Sequence, residues 1–228
     1  MARETIRERR ERRQRLAATA RRAQLVDVGR SVFAESGYEA TTVEQIAERA
    51  GISKPIVYEH FGGKEGLHSA VVEREIEDVV GRIAARIGSG SPRERFENAA
   101  VAFLTYVEER PDGFAVLLRD APSARSGSGL PALMFEFADR VSVILAEQFR
   151  AAGYDARTAP IYAHALVGMV AFVGHWWTEK RKPSVDAVAS HVTALGWMGL
   201  RHLPRRPAPV KRSPRPRKAG PPPTRSRG

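Results

Sequence analysis

An all-α chain of about nine helices is predicted by three observations. The seven body prolines stand at 55, 92, 111, 122, 131, 160 and 183, where they fit helix starts and connections and leave proline-free runs of helical length between them. Within those runs apolar residues recur at three- and four-residue steps. No convincing alternating strand pattern and no internal repeat interrupts them.

The chain opens MARETIRERRERRQRL, charged and without the apolar segment of a secretory signal, so a cytoplasmic, nucleoid-associated location is expected. Residues 1–21 form a basic arm. Its arginines suit phosphates or a narrow minor groove; the alternative is a solvated helix face of Glu and Arg pairs. A first helix is predicted from about Arg22 to Ser36, ending at Gly37.

The stretch TTVEQIAERAGISKPIVYEHFGGKEGL, Thr41 to Leu67, carries the most information. Thr42 and Gln45 have the spacing of a capping box, and Val43, Ile46, Ala47 and Ala50 then share one helical face. Gly51 can end that helix in the left-handed conformation that is cheap for glycine, and Ser53 can cap a second helix running to about Phe61. Pro55 in its first turn removes an N–H that would lack an intrahelical partner anyway. Val57 and Phe61 anchor this helix inward, leaving Lys54, Pro55, Ile56, Tyr58 and His60 on its sides and exposed end. That set suits phosphates and base edges.

On Thr41, Thr42, Ala47, Gly51, Ser53, Tyr58, His60, Phe61 and Lys64 the segment resembles the DNA-binding head of the tetracycline-repressor (TetR) family. The resemblance implies that Tyr58, His60 and Lys64 grip phosphates, that Thr42 and Ser53 add backbone contacts, and that Lys54, Pro55 and Ile56 meet bases. Ile56 departs from the small or hydroxyl-bearing residue common there; it cannot hydrogen-bond a base edge but can pack on a thymine methyl.

Lys64 to Ile87 reads as one long helix with Leu67, Val71, Val79, Ile83 and Ile87 toward a core, closed by Gly88. Ser91, Pro92 and Glu94 give a second capping signature for a helix to about Arg110, and Pro111 starts a shorter one. Residues 123–129 have loop composition. Three further helices are predicted at about Pro131 to Ala152, Ala156 to Lys180 and Pro183 to Leu203. Ala159 to Trp177 is apolar nearly all round and reaches the length threshold of a membrane span. A helix buried between its own domain and a second subunit is the preferred reading, with no membrane span.

The resemblance further implies a four-helix homodimer contact made by the last two helices, with Trp176, Trp177, Val188, Val192, Leu195 and Trp197 as candidates. Two heads then address two half-sites of a pseudo-palindromic double-stranded operator. It also implies a regulatory pocket among Phe103, Tyr106, Phe114, Leu117, Met134, Phe137, His164, Met169 and Phe172, suited to an apolar or amphipathic small-molecule effector, with Tyr106 or His164 available to orient it.

The net charge of +11 is unevenly placed. Residues 1–22 carry 9 Arg and 3 Glu, and residues 204–228 carry 9 Lys or Arg and no acid, so these ends supply +15 and the body between them is −4. The last segment also holds 8 of the 15 prolines and is expected to be disordered. It can serve nonspecific DNA, an anionic partner or lipid, or be dispensable.

The predicted organisation is an arm (1–21), a helix-turn-helix head (22–68), a helical regulatory and dimerisation body (69–203) and a Pro/Arg-rich tail (204–228). With no cysteine, thiolate metal sites, disulfides and thiol nucleophiles are excluded. There is no phosphate loop or nucleophile elbow. His164 and His175, like His191 and His202, are eleven residues apart, about 16 Å along a helix, too far to share a metal. Neither enzyme activity nor a cofactor is expected. The predicted function is a ligand-released repressor; the alternatives are an architectural DNA-coating protein and a small-molecule carrier.

Overall fold

The structure, a computed structural model, describes residues 6–88, 90–118 and 130–204. Among them are nine α-helices and no strand. They are α1 (Ile6–Ala40), α2 (Val43–Ala50), α3 (Lys54–Phe61), α4 (Lys64–Ile87), α5 (Pro92–Glu109), α6 (Pro111–Leu118), α7 (Leu130–Ala151), α8 (Ala159–Lys180) and α9 (Val185–Arg201). A single 3-10 turn, Ala156–Thr158, leads into α8, which therefore starts later than the predicted Ala156. The loop at 123–129 and the expected disorder of the tail lie outside the described residues, apart from Pro204.

Helix α1 corrects the predicted start at Arg22. It begins at Ile6, because Arg, Glu, Gln, Leu and Ala all favour helix and no Gly or Pro interrupts them. Its regular geometry ends at Gly37 (φ 76°, ψ 167°), and the Thr41 hydroxyl donates to the Gly37 carbonyl at 2.7 Å.

The local signals around the hairpin form as their chemistry requires. Thr42 and Gln45 close the capping box: the Gln45 N–H donates to Thr42 Oγ1 at 3.2 Å and the Thr42 N–H to Gln45 Oε1 at 2.8 Å. Gly51 (φ 64°, ψ 36°) caps α2 in the left-handed region. Ser53 stands at the N-cap of α3 without a side-chain hydrogen bond, so its hydroxyl is left for other use. The second capping box, Ser91 with Glu94, opens α5.

The head packs Leu25, Phe33, Ile46, Val57 and Leu67, all at most 2% exposed, between α1, α2, α3 and the first turns of α4. Helix α4 then leaves the head and enters the body, where Val79 and Ile83 join Phe103, Leu104, Val107, Phe114 and Leu117. Helix α5 is central, touching α4, α6, α8 and α9, while α7 packs along α8 and α6 lies against α1.

Candidate functional site

On α3, Lys54, Pro55 and Tyr58 are exposed, and Thr42 and Ser53 open to the same solvent at the starts of α2 and α3. Lys54 is paired with Glu44 on α2, and their mutual hydrogen bond holds Lys54 above, and Glu44 below, its ordinary range. An exposed pair of this kind is readily traded for a phosphate or a base. Ile56 and His60 are only half exposed, Ile56 because it packs on the head's core.

Lys64, expected to be open to phosphate, is half-buried. Its Nζ donates to the carbonyls of Tyr38 (3.0 Å) and Glu39 (3.4 Å) and lies 4.3 Å above the Tyr38 ring. The end of α1 leaves these carbonyls without helical partners, so a lysine is favoured there. One of its three N–H donors remains for a phosphate. Tyr38 and Arg22 belong to this construction and were missed as site residues. The Arg22 guanidinium donates to the His60 carbonyl at 2.8 Å and lies 4.4 Å over the Phe61 ring. Thirty-eight residues separate Arg22 and His60, so no local pattern announces that contact.

Next to Lys64, buried His68 sits edge-on to Phe33 (4.9 Å) and Tyr38 (5.1 Å). Burial, aided by the Lys64 charge, lowers its imidazole from the ordinary 6.5 to about 4. Above pH 6.5 both folded and unfolded chains hold it neutral. As pH falls from 6.5 toward 4 the unfolded chain gains a proton that the folded head resists, so stability decreases, by about 3 kcal/mol in total. Thermal unfolding at pH 7, 6 and 5 should show this loss, and His68→Phe should flatten it. An unchanged pH dependence in that variant would exclude His68 as its source.

Head and body meet at one buried carboxylate. Glu75 on α4, 1% exposed, accepts from Tyr106 Oη on α5 (2.9 Å), from Arg110 Nη2 just beyond α5 (3.2 Å) and from Arg30 Nη1 on α1 (3.3 Å). Asp27 extends the network by accepting Arg30 at 3.2 Å and pairing with Arg74 at 3.5 Å. Gly113 of α6 presses on the carboxylate so closely that a Cβ there would lie 2.0 Å from Glu75 Oε2. This arrangement corrects the expectation for Tyr106. Its hydroxyl serves the network, and burial together with the neighbouring Glu75 charge pushes it above the ordinary phenol range.

The body cavity, about 280 Å³, lies at the far end of α4. Val80, Ile83, Ala84 and Ile87 form one wall, with Phe96, Ala99, Ala100 and Phe103 from α5, Met134, Phe137, Arg140, Val141 and Ile144 from α7, and Leu166, Val167, Val170 and Ala171 from α8. Arg140, paired with Glu136, is the one charged lining residue among the described residues. Of the nine predicted pocket residues, Phe103, Met134 and Phe137 line it. Phe114 and Leu117 are buried in the core, with Phe114 edge-on to Phe103. His164 bonds the Pro160 carbonyl and contacts Phe135 outside the cavity. Met169 lies in the groove between α8 and α9, and Phe172 points outward at 75% exposure. The aliphatic face of α4 gave a usable signal for the missed wall, since Ile83 and Ile87 stand one turn apart.

The outer face of α8 and α9 also differs from expectation. Trp177, expected there, is fully buried in its own protomer, and its indole N–H donates to the Pro183 carbonyl at 2.7 Å. Val188 and Val192 are likewise buried, reaching only the floor of the α8–α9 groove, and Trp197 is half-buried. Ile161, Phe172, Trp176, Leu195 and Met198 are the large apolar side chains exposed on this face. The stretch 156–180 is long and apolar enough to cross a membrane (mean hydropathy 1.3), yet α8 packs along α7 and α5, and its buried and exposed residues alternate by helical face. No group of three or more metal-ligating side chains occurs among the described residues.

A helix-turn-helix head, tied by one long helix and a buried carboxylate to a body with an apolar cavity, defines a ligand-responsive DNA-binding regulator. Residues 25–71 match the family described as bacterial regulatory proteins, tetR family, and residues 82–210 match the tetracyclin repressor-like C-terminal domain. The chain belongs to the TetR family of transcriptional regulators, cytoplasmic proteins that bind DNA as dimers. The transcriptional activator FasR of Mycolicibacterium smegmatis is 27% identical over 194 residues, covering 83% of this chain and 87% of FasR. A TetR-like regulator from Rhodococcus sp. RHA1 superposes with a TM-score of 0.63 at 29% identity, covering 80% of this chain and 97% of that one. The Bacillus subtilis regulator FadR, solved in complex with stearoyl-CoA, shares the fold with a TM-score of 0.64 at 18% identity over 76% of this chain and 96% of FadR.

Proposed function

We propose that this chain is a repressor that holds a pseudo-palindromic operator as a homodimer, associated with the nucleoid, and lets go when an apolar-chain ligand fills the body cavity. The observation that carries the reading is the course of α4. It begins at Lys64 in the head, passes Glu75 and ends along the cavity at Ile87, about 36 Å away at 1.5 Å per residue. A ligand that shifts the cavity end tilts the same helix that positions the head.

The head is taken as residues 22–68 and the body as 69–203. Tyr58, His60 and the third donor of Lys64 serve phosphates, Thr42 and Ser53 add backbone contacts, and Lys54, Pro55 and Ile56 meet bases. The effector is an amphiphile whose tail matches the apolar lining, with Arg140 at hand for an anionic head; a long acyl thioester, as in the FadR complex, has that chemistry. The exposed face of α8 and α9 is assigned to the second copy, which accounts for so much apolar surface on a family whose members work as dimers.

Linkage supplies the test. If the ligand releases DNA, operator must weaken ligand binding by the same factor. Stearoyl-CoA and shorter acyl-CoAs titrated with and without operator, first selected from genomic fragments, should give affinities differing about tenfold or more. Equal affinities across the series would reject acyl release. The name of FasR motivates the second reading, an activator, in which the same ligand switches its genes off; a reporter behind the selected operator distinguishes the two.

A further inference from the structure

Helix α1 runs for more than four turns before it packs against the rest of the molecule. From Arg9 to Gln24 every residue is exposed except half-buried Glu11, and full burial begins at Leu25. Arg9, Glu11 and Arg12 keep contacts with neighbours. At about 100° per residue, Arg9, Arg10, Arg12, Arg13 and Arg15 fan over about 220° of the circumference. Leu16 is the sole large apolar side chain in the stretch, which leaves neither the apolar stripe of a membrane-surface helix nor the seam of a coiled coil. Like charges recur at helical contact spacing, Arg9 with Arg12 and Arg13, and Arg12 with Arg15, and such pairs weaken an isolated helix. A polyanion that enters between them removes that cost.

The root of this helix lies in the DNA-reading hairpin. Arg22 donates to the His60 carbonyl at 2.8 Å, and Gln24 Nε2 donates to the Ala50 carbonyl at 3.3 Å, so α1 is pinned to the ends of α3 and α2. The geometry points to a second DNA contact: the first turns of α1 form a basic rod that follows the phosphates outside the half-site read by α3. This inference rests on the DNA-binding reading above. The 16 helical steps from Ile6 to Arg22 span about 24 Å, or about seven base pairs at 3.4 Å each. Phosphate contacts of this kind add affinity without sequence choice.

The test uses the full-length protein on its selected operator with long natural flanks. Hydroxyl-radical footprinting should show protection extending up to about seven base pairs beyond each half-site. A variant with Arg9, Arg10, Arg12, Arg13 and Arg15 changed to Gln should lose that flanking protection and keep the core. Its log–log salt slope should be shallower by up to about 4.5 per protomer, since each lost phosphate contact removes about 0.9. An operator trimmed of its flanks should give the parent chain the same shallower slope, a check that needs no variant. Identical flanking protection and identical slopes in parent and variant would overturn the rod. Protection by the parent chain that is uniform on any duplex would instead overturn the sequence-specific reading.

Discussion

A Phe172→Glu variant is expected to sediment as a monomer at concentrations where the parent chain is a dimer, and to lose at least a hundredfold in operator affinity. Phe172 is 75% exposed on α8, on the same helix as exposed Ile161 and Trp176, and Leu195 and Met198 are exposed on α9. Twofold symmetry would place two carboxylates in one interface, and each buried unpaired charge costs several kcal/mol. At about 1.4 kcal/mol per tenfold, the dimer constant collapses and each half-site is held singly. Trp177→Phe supplies the contrast: it should lower thermal stability through lost packing and leave the oligomeric state alone. A dimeric Phe172→Glu protein with parental operator affinity would show that the two copies meet elsewhere.

Gly113→Ala should lower the melting temperature by about 5–10 °C and loosen the coupling between cavity and head. The new methyl would stand 2.0 Å from Glu75 Oε2 and 2.8 Å from the Tyr106 hydroxyl. Glu75 has nowhere easy to go, because Tyr106, Arg110 and Arg30 hold it from three sides. Overpacking costs about 1–3 kcal/mol, and opening a buried ion pair about 3–5 kcal/mol. For a chain of this size each kcal/mol is worth about 2–4 °C. Glu75→Asp in the same background shortens the carboxylate and should restore part of the loss. Calorimetry on the three proteins decides the matter, and a Gly113→Ala melting point equal to the parent's would refute the close approach.

The parts legible in the sequence are those fixed by neighbours along the chain. The Thr42–Gln45 and Ser91–Glu94 boxes, the Gly51 turn and the long Lys64–Ile87 helix each depend on residues within a turn or two. The arm shows the limit of that approach: nothing in the composition of residues 6–21 stops a helix, so a charge-based boundary at Arg22 marked a change in packing and no change in backbone. Helix α8 shows a second limit. It packs on α7 and α5 and also carries an apolar outer face, so no single apolar stripe says which large side chain points which way. Phe172, expected at the pocket, is consequently exposed, and Trp177, expected on the outer face, is buried. Tyr106 was legible as a buried aromatic with a polar end, but its acceptor lies 31 residues away on another helix.

The near-uniform lining of the cavity sets what kind of discrimination the protein can exercise. Apart from Arg140, the walls are built from Val, Ile, Leu, Ala, Phe and Met, whose side chains have no donor or acceptor with which to check a functional group along a bound chain. Toward the apolar-chain ligand proposed above they would register methylene count instead. Each CH₂ admitted is worth about 0.8 kcal/mol, about fourfold in affinity, until the space is full, and overpacking reverses the trend beyond that point. If the proposed ligand is the one bound, such a cavity would gauge molecular length: it would grade a homologous series smoothly on the short side and cut it off sharply on the long side, and a single Ala-to-Val exchange at position 99 or 100 would be expected to reset the calibration.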